Sequence, residues 1–128
     1  MRLLLDTHLV VWAAEGRDRL PRTAQVLMSD PAAELVVSAV CLWEVAIKHA
    51  FSGGRFIAEP NRLRRYLSDN GYEEMPVTGH HAVGVASLPL LHKDPFDRLL
   101  LAQALVEDIT LLTVDARLAQ YPVPVRLV

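Results

Sequence analysis

The chain has 128 residues, 52% of them hydrophobic, and a single cysteine; that fits one domain which needs no disulfide or structural metal to fold, and it excludes intrinsic disorder. No apolar run approaches the roughly 18–20 residues of a membrane span, the start turns acidic at Asp6 too early for a signal peptide, and lone Cys41 in an apolar stretch points to a core residue in a reducing, cytoplasmic compartment. With 13 Lys and Arg against 15 Asp and Glu, the net charge of −2 argues by itself against a nucleic-acid partner.

In chain order, residues 2–5 read as a short buried strand closed by Asp6-Thr7. Residues 9–14 read as a helix stopping at Gly16, and Pro21 opens a second helix that ends before Pro31. Residues 34–37 form another short strand, after which Ser38 caps a helix running through Phe51 to Gly53-Gly54. A polar, arginine-rich helix follows over 61–69, ending at Gly71, then a short edge strand over 72–77 and a small helix over 80–87. Asp94-Pro95 starts the longest helix, to about Glu107; a buried strand over 109–114, a short helix over 115–120 and a terminal strand over 125–128 complete the chain. Continuously apolar strands separated by helices predict a parallel sheet covered on both faces. The expected fold is α/β, a three-layer sandwich with a central parallel sheet.

Four acids stand out by context. Asp6 and Asp115 each follow an apolar strand, and ligands of parallel α/β sheets bind at the carboxyl ends of the strands. Glu44 lies in a stretch, Val36 to Ile47, whose other polar residue is Ser38; a carboxylate buried there needs a partner. Asp97 lies in the first turn of the longest helix. Each has a structural reading too. Asp6 and Asp115 can be helix N-caps, Asp94-Pro95-Phe96-Asp97 resembles a capping box with Asp94 at the cap, and Glu44 can pair with Lys48 one turn on. Together, acids converging on one sheet edge would repel, by roughly 4 kcal/mol for a pair about 4 Å apart at an effective dielectric near 20. Such a group either shifts its pKa values or holds a cation. Oxygen ligands select Mg²⁺ or Mn²⁺, ions suited to phosphodiester hydrolysis.

Four segments in order carry a family resemblance: Leu3-Leu4-Leu5-Asp6-Thr7-His8, Ser38 to Lys48 (SAVCLWEVAIK), His92 to Ala104 (HKDPFDRLLLAQA) and Leu111-Leu112-Thr113-Val114-Asp115. Through them the sequence resembles PIN-domain ribonucleases, specifically VapC-type toxins of prokaryotic toxin–antitoxin pairs, over essentially its whole length as one domain, 1–128. The resemblance implies an endoribonuclease in which Asp6, Glu44, Asp97 and Asp115 bind Mg²⁺ or Mn²⁺, Thr113 supports the site and Asp94 remains a cap. It also implies a cognate antitoxin, a homodimer or toxin–antitoxin hetero-oligomer, and products with 5′-phosphate and 3′-hydroxyl ends.

Other readings are weaker. His80-His81 are adjacent and no Cys–His pairing exists, which disfavours zinc. His8 beside Asp6 reads as a surface or packing residue. Two arginine clusters, Arg17, Arg19 and Arg22 and then Arg62, Arg64 and Arg65, are either solvated helix faces or local phosphate grips. A receiver-like domain would need an acid pair after the first strand, and a haloacid-dehalogenase-like domain an aspartate where His8 stands. A non-catalytic PIN-like binding module also fits the residues. If the four acids hold a metal, 11 acids remain against 13 bases, so the net charge becomes an argument for a local, metal-dependent grip on RNA.

Overall fold

The computed structural model describes residues 1–55 and 58–128. Five parallel strands form one sheet: β1 (Arg2–Leu5), β2 (Glu34–Ser38), β3 (Glu73–Met75), β4 (Thr110–Thr113) and β5 (Val125–Leu127), in the order β3-β2-β1-β4-β5. Among the described residues six α-helices join the first four strands: α1 (Thr7–Glu15), α2 (Arg22–Ser29), α3 (Ala39–Phe51), α4 (Pro60–Asp69), α5 (Gly79–Gly84) and α6 (Pro95–Glu107). No helix is long and apolar enough to cross a membrane among the described residues.

The apolar runs explain the layering. Leu3, Leu4 and Leu5 of the central strand are all buried, as are Leu111 and Leu112 of β4 and Val36 and Val37 of β2, so both sheet faces are covered. Strand-to-strand crossovers over a parallel sheet are right-handed. From β1 the chain moves outward through β2 to β3, then returns to the far side of β1 as β4, so the connecting helices change face. Accordingly α1, α3 and α4 pack on one another while α5 packs on α6, and α3 also meets α6, where the Trp43 and Phe96 ring centroids are 4.9 Å apart. The reversal leaves a crevice between the carboxyl ends of β1 and β4, where open α/β sheets bind ligands. This order also differs from the 2-1-3-4-5 order of receiver-like sheets, which removes that alternative.

Helix ends follow the local signals. Ser38 caps α3, its hydroxyl accepting from Val40 N–H at 3.0 Å. Asp94 caps α6, accepting from Phe96 and Asp97 N–H at 2.9 and 3.1 Å, with Pro95 at the first helical position. Gly71, at φ 79°, ends α4; Tyr72 N–H reaches back to Leu67 C=O and Gly71 N–H to Ser68 C=O, the paired bonds of a Schellman motif.

Three expectations change. The edge strand is three residues, not 72–77, because Pro76 has no N–H to continue the ladder. The expected helix over 80–87 is a six-residue helix followed by a 3₁₀ turn over Val85–Ser87. The expected helix over 115–120 is only a 3₁₀ turn, Leu118–Gln120. Cys41 is fully buried, and burial pushes its thiol up to about 12, which fits a core residue.

Candidate functional site

Asp6 lies one residue beyond β1, and the Leu5–Leu112 register sets it beside Thr113 at the end of β4. Its two oxygens are held separately. Oδ1 accepts from Leu9 N–H at 2.9 Å, so Asp6 is the N-cap of α1. Oδ2 accepts from the Thr113 hydroxyl at 2.6 Å and from Val114 N–H at 3.2 Å. The cap and the strand-end reading are therefore both correct, because one carboxylate has lone pairs for each. Asp6 is 4% exposed. Burial raises its pKa from the ordinary aspartate value, against the opposing pull of its three hydrogen bonds.

Glu44 projects from the second turn of α3 and is 6% exposed. Thr7 donates its hydroxyl to Glu44 Oε1 at 2.7 Å, and Lys48 Nζ sits 2.7 Å from Oε2. The pairing with Lys48 and the buried position had been alternatives; the structure has both. Lys48 keeps its ammonium near solvent while Glu44 stays inside, as a long side chain allows.

Asp97 sits in the first turn of α6, where its oxygen Oδ2 meets His92 Nε2 at 2.8 Å. Burial raises its pKa, the His92 hydrogen bond opposes this, and the negative charges of Asp94 and Glu44 add to the rise. His92, Asp94 and Asp97 offer ligand atoms that all lie within 4.8 Å of one another. Asp94 is thus a cap that also belongs to this group.

Asp115 follows β4 but caps no helix. Its Oδ1 accepts from Arg117 N–H at 2.9 Å, and the Arg117 guanidinium grips both oxygens, with Nη2 to Oδ2 at 2.8 Å. That hydrogen-bonded cation holds the Asp115 carboxyl below its ordinary range.

All four acids line one cleft of about 120 Å³, together with Thr7, His8, Lys48, Asp94, Arg117 and Leu118. Its chemistry suits a hard divalent cation. The donors are carboxylate oxygens, the ligand type of Mg²⁺ and Mn²⁺, and two of the acids, Asp6 and Asp97, have burial working against their charge, a penalty a bound cation would offset.

Sequence reasoning missed three residues of the cleft region: His92, Lys48 as a cleft cation, and Arg117. Arg117 was legible as a near neighbour of Asp115; His92 was not, because its place depends on Arg98. That guanidinium is buried and donates to the carbonyls of Val85, Pro89 and His92, pinning the segment that carries His92 over the start of α6. The arginine clusters divide. Arg62 is paired with Glu15 at 3.0 Å and Arg64 bidentately with Glu74, so acids of this chain already hold both. Arg64 and Arg65 line a different cavity, with Asn61, Ser68 and Glu74. Arg17 and Arg22 are exposed, and Arg19 borders a cavity adjoining the acidic cleft.

The sequence matches the PIN domain family over residues 3–124. No curated protein matches it. Solved structures with a similar fold include VapBC2 from Rickettsia felis bound to a DNA fragment from its promoter, at a TM-score of 0.73 and 18% identity over 99% of this chain and 98% of that one. A toxin–antitoxin complex from Klebsiella pneumoniae matches at a TM-score of 0.66 and 20% identity, covering 97% and 95%. FitAcB from Neisseria gonorrhoeae matches at 0.60 and 18%, covering 91% and 89%.

Proposed function

This chain belongs to the PIN domain family, and we propose that it is a metal-dependent endoribonuclease hydrolysing RNA phosphodiester bonds, with Asp6, Glu44, Asp97 and Asp115 as its catalytic acids. One observation carries the reading: acids from four separate segments line a single cleft at the carboxyl edge of the sheet, where the strand order reverses. In this reading the four acids hold Mg²⁺ or Mn²⁺, which when bound supplies a water of lowered pKa and neutralises charge at a phosphodiester.

The chain's own groups prepare that site. Thr113 and two backbone N–H groups fix the Asp6 carboxylate in one orientation. His92 holds one oxygen of Asp97. Lys48 and Arg117 border the cleft as cations, paired with Glu44 and Asp115 respectively, and balance part of its negative charge. The Thr7 hydroxyl is engaged with Glu44, and the Cys41 thiol is buried with a raised pKa, so water is the nucleophile of this proposal. Products carry 5′-phosphate and 3′-hydroxyl ends.

The similarity to toxin–antitoxin complexes supports a VapC-type toxin, acting in the cytoplasm as a homodimer or in a hetero-oligomer with a neutralising antitoxin. The test is incubation of the purified protein with structured and unstructured RNA. Cleavage should require Mn²⁺ or Mg²⁺, stop on chelation, and vanish in Asp97→Asn with the fold retained. Full activity of that variant would overturn the assignment, and a wild-type protein that binds but never cuts would be a non-catalytic binding module.

A further inference from the structure

A second cavity, of about 140 Å³, shares Thr7, His8, Glu44 and Lys48 with the acidic cleft and extends it toward Trp12 and Arg19. His8 and Trp12 stand one turn apart on α1, with ring centroids 5.6 Å apart and planes tilted by 46°. Trp12 packs one side against the core and lines the cavity with the other. Among the described residues nothing accepts its indole N–H, and Arg19 has no ion pair. A Cβ at Gly16 would sit 3.6 Å from Arg19 Cδ and 3.8 Å from Trp12 Cδ1, so the arginine stem runs back beside the indole.

We propose that this cavity is a nucleobase subsite: the base beside the scissile phosphate stacks on the Trp12–His8 pair, while Arg19 meets the neighbouring phosphate. The proposal rests on the nuclease reading and adds where the substrate strand lies. Aromatic faces bordered by cations are the way single-stranded nucleic acid is held, since every base has a π-face and every linkage a negative charge. The charged side chain that enters the cavity beside Trp12 is Arg19, while Glu44, paired with Lys48, stands at the shared end and the nearby Glu15 is held by Arg62, so among the described residues the Trp12 end offers a free cation to a phosphate. An indole N–H with no internal acceptor adds a hydrogen bond available to a base edge or a ribose oxygen.

The experiment uses Trp43→Phe, which leaves Trp12 as the sole tryptophan of the two in the chain. A six-nucleotide single-stranded RNA is titrated at low salt with Mg²⁺ present, in the cleavage-deficient Asp97→Asn background, and Trp12 fluorescence is followed. Saturable quenching is expected. His8→Ala, at an exposed position, read by Trp12 fluorescence, and Trp12→Leu, read by the anisotropy of the same RNA carrying a terminal fluorophore, should each weaken binding by about tenfold, the loss of one stacking contact. If Trp12→Leu does not fold, His8→Ala alone carries the comparison. Unchanged fluorescence, as expected of a cavity reserved for a partner's side chain, overturns the subsite even if the enzyme cuts RNA. Quenching in a protein that never cuts RNA under any divalent metal leaves the subsite standing and removes the nuclease reading instead.

Discussion

Thr113 donates its hydroxyl to Asp6 across 2.6 Å, joining residues 107 positions apart at the ends of adjacent strands. The same oxygen accepts from Asp115 N–H at 3.0 Å. One fully buried side chain therefore ties two of the four acids together.

Thr113→Val removes both bonds at nearly constant volume. Asp6 Oδ2 keeps only the Val114 N–H, and Asp115 N–H loses its acceptor. Leaving buried polar groups unpaired costs about 1–3 kcal/mol, so urea denaturation should show a loss of that size. Thr113→Ser keeps the hydroxyl and should recover most of both stability and cleavage.

The pH dependence of the metal-free protein follows from Asp6 and Asp97. Both carboxyls have folded-state pKa values raised by burial, so the native state holds their protons more tightly than the unfolded chain does. The stability they contribute is complete below the ordinary aspartate value and is lost as pH rises through their raised values. Melting temperatures measured in chelator should fall across that window. Asp97→Asn should flatten the slope, while Mn²⁺ should restore stability to the wild type at neutral pH and do so less well to the variant.

Arg117→Gln tests the clamp on Asp115. Asp115 titrates below its ordinary range because of this guanidinium, so the variant's carboxyl should move back up. The side chain is 65% exposed, and exposed pairs contribute at most about 1 kcal/mol, so the melting temperature should barely change. Freed of an internal competitor for both oxygens, Asp115 should bind Mn²⁺ more tightly by calorimetry. An affinity equal to wild type would show that Arg117 does not compete.

Ser38→Ala acts away from the acids. Ser38 caps α3, the helix carrying Glu44, and also donates to Gln103, which in turn donates to Pro76 C=O and borders the buried ring of His81. Losing a cap costs about 1 kcal/mol, and the orphaned Gln103 oxygen adds to it. Equilibrium denaturation should give a loss above that of the cap alone, and Ser38→Thr should lose less.

Much of this protein is legible locally. A run such as Leu3-Leu4-Leu5 can only be satisfied inside a sheet covered on both faces, and Asp94-Pro95 or Gly71 mark helix ends through the dihedrals and hydrogen bonds those residues permit. Asp6 and Asp115 were placed at strand ends by the same reasoning, and a parallel sheet then puts them on one edge. What local chemistry leaves open is pairing between distant segments. His92 meets Asp97 because buried Arg98 gathers the carbonyls of the preceding loop, and no periodicity in the sequence announces a guanidinium turned inward. Glu44 could be buried or paired when judged by its neighbours; in three dimensions Thr7 and Lys48 reach it from different sides, so it is both. The charge balance has the same limit. A total of −2 says nothing about where charges stand, and only the tertiary structure separates Arg62 and Arg64, held by this chain's own acids, from Arg19 beside an aromatic cavity.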